Sequence, residues 1–267
     1  MGLSVYARAW RAGIIACGLA WFGPVDLRAE TPEPSAPPPE LIQRSAEPFG
    51  LAASFLTSGG LHDKWLGMQH RLDDEMVQLA LCEGDRDGCV SPAALKFLDI
   101  VDAARSREGR ARLGEINRAI NLAIRPISDL AQHGEIDVWS SPLATLARGG
   151  GDCEDYAIAK FTALRRAGLS IDDLRIVVLH DTIHGEDHAV AAARLDGRWL
   201  MLDNRRMAMV EDANVRNFQP TFVIGEHGVM RYVDKFSPAP AAGNDPAPPL
   251  VVSSLAGAAD PSSERTE

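Results

Sequence analysis

The chain has 267 residues, 46% hydrophobic and 24% charged, a globular balance that excludes a fibrous or wholly disordered protein. A formal net charge of −10 leaves no basic footprint, which excludes a general nucleic-acid binder. Past residue 29 no apolar run reaches the ~18 residues of a membrane-spanning helix, and four cysteines are too few for a disulfide scaffold.

The N-terminus has the parts of an export signal. Arg8 and Arg11 precede an apolar stretch from Gly13 to Val25, and Leu27-Arg28-Ala29 offers a cleavage site ending in a small residue. Residues 1–29 are therefore expected to be a signal peptide; an uncleaved anchor and lipidation at Cys17 are the alternatives. Residues 30–46 form a Pro-rich linker and residues 236–267 a Pro/Ala-rich tail, neither with enough large apolar side chains to offset chain ordering. One packed domain is expected over 47–235.

The first half of that domain reads as helical. Trp65, Met68, Leu72, Met76 and Leu79 recur at three- and four-residue steps. Ser91-Pro92 opens a second helix, with Ser as N-cap and Pro at the first helical position, and Leu95, Phe97, Leu98 and Val101 as its apolar side chains. Leu113, Ile116, Ile120 and Ile124 mark a third, closed by Pro126. After residue 170 the pattern becomes that of strands: 174–179, then 189–195 and 199–202 around the hairpin signal Asp196-Gly197, then 221–224 and 229–233. Helices followed by an antiparallel sheet make an α+β fold.

With the signal removed, three cysteines remain. Cys82 and Cys89 enclose a polar turn and pair as a local disulfide in an oxidising compartment. Cys153 is then odd. It follows Gly149-Gly150-Gly151-Asp152, and Tyr156, Ala157, Phe161 and Leu164 follow it at helical spacing. Cys153 therefore opens a helix with Asp152 as N-cap, where unpaired N–H groups and the helix dipole favour a thiolate nucleophile. Asp152, Glu154 and Asp155 crowd this thiol, and each negative charge should raise its pKa. Two readings account for them: helix capping, or a calcium ion that offsets their charge and takes further oxygen ligands from elsewhere.

A cysteine nucleophile needs a base and an orienter. Of seven histidines, His62, His70, His133 and His227 lie in polar or turn contexts. His188 opens the strand entering the Asp196-Gly197 hairpin. With a two-residue turn, paired residue numbers sum to 393, and His188 and Asp203 share a face as diagonal neighbours. A three-residue turn would change that parity. His184 sits in the preceding loop and competes with His188 for the role; a His184/His188 metal pair has no helical geometry to support it.

The order Cys, His, Asp, with the Cys on a helix and the others on a hairpin, is that of papain and transglutaminase-like enzymes. The stretches Asp137-Val138-Trp139-Ser140-Ser141-Pro142, Gly149 to Lys160 (GGGDCEDYAIAK) and Leu202-Asp203-Asn204 resemble the bacterial transglutaminase-like cysteine peptidase family, the LapG-like periplasmic proteases. The resemblance implies a papain/transglutaminase-like fold, Cys153, His188 and Asp203 as catalytic residues, and calcium bound through Asp152, Glu154 and Asp155. It also implies periplasmic residence, cleavage of a large repeat adhesin, and an inner-membrane c-di-GMP receptor as partner. An inactive binding module of the same fold, or a transglutaminase-type acyl transferase, is the alternative function.

Overall fold

The computed structural model describes residues 46–233. The expected signal peptide, the Pro-rich linker but for Ala46, and the tail from 236 lie outside the described residues.

A 3-10 turn at Pro48–Gly50 and the short strand β1 (Ala53–Phe55) precede three helices: α1 (Gly60–Gly84), α2 (Pro92–Arg105) and α3 (Gly109–Ala123). Each buries the stripe its sequence spells. In α1 this is Trp65, Met68, Leu72, Leu79 and Cys82, with Met76 only half-buried. In α2 Ser91 Oγ accepts the Ala94 N–H at 3.2 Å, capping the helix. Its buried face is Ala94, Phe97, Leu98, Val101 and Ala104, and Leu95 sits at the margin. The Cys82–Cys89 disulfide closes the loop between α1 and α2, leaving Cys153 as the free cysteine among the described residues.

Helix α3 ends at Ala123, three residues before Pro126. The residue before a proline disfavours helical geometry, and Arg125–Pro126 instead forms β2, which pairs in parallel with β3 (Gly150–Gly151). Between those strands lie two short helices, α4 (Asp129–His133) and α5 (Pro142–Arg148). Then comes α6 (Cys153–Arg166), buried at every residue from Asp155 to Leu164. It is a core helix, packed between α2, α3 and α5 on one side and the sheet on the other.

The rest of the chain builds the sheet. Strands β4 (Leu174–Asp181), β5 (Glu186–Leu195), β6 (Arg198–Leu202), β7 (Val210–Glu211), β8 (Phe218–Gly225) and β9 (Gly228–Tyr232) join β1 in the order β1-β9-β8-β4-β5-β6-β7, antiparallel throughout. Edge strands β1 and β7, with two or three residues each, carry too short a pattern to be read from sequence. Both faces of the sheet are covered. Ile176, Ala189, Ala191, Ala193 and Leu202 join the helical core, while Val177, Val190, Ala192, Trp199 and Met201 form a second cluster with Phe49, Leu51, Val215 and Phe218. The alanines of β5 leave room for α6 to lie close.

Candidate active site

The free cysteine is placed by glycines. Gly149 ends α5 in the left-handed region (φ 67°), where a side chain would be strained. At Gly151 a Cβ would come within 2.5 Å of Asp155 Oδ2. The chain then enters α6 with Cys153 at the first helical position.

The β5–β6 hairpin brings in the next pair. Asp196 and Gly197 both have positive φ (51° and 77°), as a two-residue type I′ turn requires. Leu195 pairs with Arg198 and Ala191 with Leu202, the register that sums to 393. His188 and Asp203 meet accordingly: His188 Nε2 donates to Asp203 Oδ1 at 3.0 Å, with both side chains buried. His188 Nδ1 is buried without a hydrogen-bond partner. Burial would raise the Asp203 pKa, but the His188 bond, the Arg205 amide and the neighbouring charges hold it below its ordinary value. The backbone after it is clamped from α3. Asn121 Nδ2 donates to the carbonyls of Asp203 and Arg206 (both 3.1 Å), and Asn117 Nδ2 to those of Arg206 and Met207 (3.1 and 3.0 Å). Sequence periodicity gave no sign of these two amides.

Cys153 lies against the backbone next to His188. The Ala189 N–H hydrogen-bonds its sulfur and lowers its pKa, but burial and the Glu154 and Asp152 charges outweigh this and push the thiol well up. The thiol donates to Glu154 Oε2 at 3.1 Å.

The acids divide. Asp152 occupies the N-cap position but makes no capping bond with its side chain. It turns to Glu154 and Asp129, and carboxylate oxygens of these three residues lie within 4.8 Å of one another. Burial and the Glu154 charge push Asp152 up to about 9. Asp155 is outside this trio though close enough to feel its charge: its Oδ1 accepts the Ser140 N–H at 2.7 Å, tying α6 to the α4–α5 connection, and its Oδ2 is buried without a hydrogen-bond partner. Burial raises Asp155 to about 7 against that bond. Asp129 is the member that sequence reasoning missed. It stands far from Asp152 along the chain, and the β2–β3 pairing carries it there, since Ile127 N–H bonds the Gly151 carbonyl at 3.0 Å. Asp129 Oδ1 and Asp152 Oδ1 are both buried without a hydrogen-bond partner. Three clustered carboxylates, two of them with orphaned oxygens, suit a hard cation such as calcium.

Trp139 of the 137–142 motif segment and the competing His184 are engaged elsewhere. Trp139 Nε1 donates to Asp137 Oδ1 at 3.1 Å. His184 Nδ1 bonds Asp181 Oδ2 at 2.7 Å, and Arg205 reaches Asp181 and Glu186, pinning the β4–β5 loop.

The comparisons with known proteins bear on the family and the fold. A sequence model of the family described as bacterial transglutaminase-like cysteine proteinase (BTLCP) matches residues 76–218. Among solved structures, LapG of Legionella pneumophila after EGTA treatment is similar at 21% identity over 61% of this chain and 87% of that one, with a TM-score of 0.50. Another structure of Legionella pneumophila LapG matches at 22% identity over 58% and 86%, TM-score 0.49. Its calcium-bound form matches at 22% over 55% and 84%, TM-score 0.47. At these identities the likeness concerns the fold, which is the papain/transglutaminase-like one. No curated protein matches the chain.

Proposed function

We infer the function from one premise: the chain belongs to the family of bacterial transglutaminase-like cysteine proteinases and is a cysteine peptidase. We propose that it is a calcium-dependent endopeptidase of the periplasm, cleaving an exported or surface protein such as a large repeat adhesin, with Cys153, His188 and Asp203 as its triad. The observation that supports the triad most is the buried His188–Asp203 bond through Nε2, which leaves Nδ1 as the atom able to take the thiol proton.

In this reading the Cys153 proton passes to His188 Nδ1, and Asp203 steadies the imidazolium through Nε2. The thiolate adds to the scissile carbonyl. The Cys153 backbone N–H, at the first helical position, has no helical acceptor and can donate to the developing oxyanion. His188 then gives its proton to the leaving amine as the C–N bond breaks. A water attacks the thioester, losing a proton to His188, and the C–S bond breaks to return the thiol.

Asp129, Asp152 and Glu154 would hold the calcium ion, which when bound supplies positive charge against the carboxylates beside the thiol. The support is their clustering and the orphaned oxygens of Asp129 and Asp152, together with the calcium-bound and EGTA-treated forms of Legionella LapG. Asp155, assigned to the metal by resemblance, lies outside this trio; its Oδ1 accepts the Ser140 N–H and its Oδ2 is buried without a hydrogen-bond partner, so it stays a candidate ligand. Export rests on the segment 1–29; among the described residues no helix is long and apolar enough to cross a membrane. A c-di-GMP receptor in the inner membrane as regulatory partner rests on family resemblance alone.

The test is to incubate the purified protein with a surface adhesin of its host in calcium or in EGTA. A single new N-terminus that appears only with calcium, and not with Cys153→Ala, is expected. An intact adhesin in both conditions overturns the substrate, and cleavage by Cys153→Ala overturns the nucleophile.

A further inference from the structure

Lys160 lies on α6 two turns after Cys153 and is wholly buried, a place lysine seldom takes without a partner. Its Nζ donates at 2.9 Å to the carbonyl of Leu202, the residue before Asp203, and sits 5.8 Å from the centre of the Tyr156 ring. Burial lowers its ammonium to about 7, while the Asp203 carboxylate pulls the other way. Among the ionisable groups on the elements packed around α6, Asp203 is the charge that acts on Lys160. His188 from β5 meets it only through that carboxylate, and the α3 side chains that hold the same segment, Asn117 and Asn121, are neutral amides.

A tie between α6 and the end of β6 needs only a hydrogen-bond donor. A neutral amide would supply one at a smaller desolvation cost than an ammonium group. What the ammonium adds is positive charge beside Asp203. A carboxylate that also faces a cation stabilises an imidazolium less than one that faces the imidazolium alone.

We propose that Lys160 is a positioning residue of the Cys153 site: it fixes the strand end that presents Asp203 and limits the negative charge that Asp203 offers to His188. The proposal rests on the triad reading given above. It is tested by the pH dependence of Cys153 alkylation by iodoacetate, in saturating calcium, for the native protein, Lys160→Met and Lys160→Gln, with melting temperatures measured alongside. Iodoacetate is an anion, so its rate falls as the imidazolium loses its proton. Because Lys160 itself loses its proton at about 7, both variants should exceed the native rate on that limb around neutral pH, where the native cation is still present, and converge with it at higher pH. Lys160→Gln keeps a donor and should stay closer to the native melting temperature, so it decides the matter if Lys160→Met fails to fold. Limbs that superpose on the native one, with only melting lowered, would make Lys160 a structural tie and overturn the proposal while leaving the triad intact. A native Cys153 that reacts no faster than a free thiol at any pH would overturn the triad reading, and this proposal with it.

Discussion

Between residues 60 and 123 the buried side chains are apolar except for Asn117, and Asn117 itself reaches out to the loop after Asp203. From Asp129 onward ten further polar or charged side chains are buried, among them Asp155, Lys160, Asp181, His188 and Asp203. The first region obeys the ordinary rule of an apolar interior and is closed by a disulfide. The second breaks that rule repeatedly, as functional sites do at a cost borne by the surrounding fold. The helical region is thus a wall against which a destabilising polar site can be held. Changes in the two regions should separate cleanly into effects on stability and effects on chemistry.

The largest effect expected is on activity alone. Cys153→Ala and His188→Ala should each lower the cleavage rate by about 10⁴-fold or more, because members of such a unit fail together. Asp203→Asn should cost about 10²–10⁴-fold. Differential scanning fluorimetry should find Cys153→Ala at least as stable as the native protein, since a buried sulfur pressed by two carboxylates is removed. A Cys153→Ala protein that melts far lower would break the division between wall and site.

The converse test lies in α2. Phe97→Ala should lose about 3–5 kcal/mol of stability in denaturant titrations, the usual cost of emptying an aromatic core position. Per folded molecule its alkylation rate at Cys153 should remain native. Removing the disulfide with Cys82→Ser and Cys89→Ser should cost about 2–3 kcal/mol for so short a loop, again without touching the thiol.

The polar region should show itself in pH dependence. Asp152 and Asp155 have folded-state pKa values of about 9 and about 7, raised first by burial, against an unfolded value of about 4. Both groups bind protons more tightly when folded. The stability they permit is full below the unfolded value and is lost as pH rises through the folded values. Calcium-free protein should therefore melt higher at pH 5 than at pH 9. Calcium bound as proposed would hold Asp152 ionised and should raise the melting temperature most at pH 9. Asp129→Asn should weaken that calcium shift while leaving α1 to α3 unaffected. Calcium shifts of equal size for Asp129→Asn and the native protein would remove Asp129 from the metal site.

The sequence foretold what local rules control. Asp196-Gly197 allows one tight turn, the turn sets the register, and the register carries Asp203 to His188. The helical stripes were legible for the same reason, because one period governs each. What stayed hidden depends on contacts without a period. Asp129 reaches Asp152 through a two-residue parallel pairing that no alternation announces. Asp152 has the sequence position of a cap but turns its side chain to other carboxylates. Asp155 and Asp129 each give one oxygen to a backbone amide, of Ser140 and of Val138, which no spacing announces. Asn121 and Lys160 serve the site through backbone carbonyls, which any sequence could offer.

The central claim is that Cys153, His188 and Asp203 act as one site, and the most direct measurement is the rate at which iodoacetamide labels Cys153 at neutral pH in calcium. The native thiol should react about 10²-fold or more faster than that of His188→Ala, with peptide mapping assigning the label to Cys153. Equal rates in the two proteins would mean that the histidine does not activate the thiol, and would contradict the account.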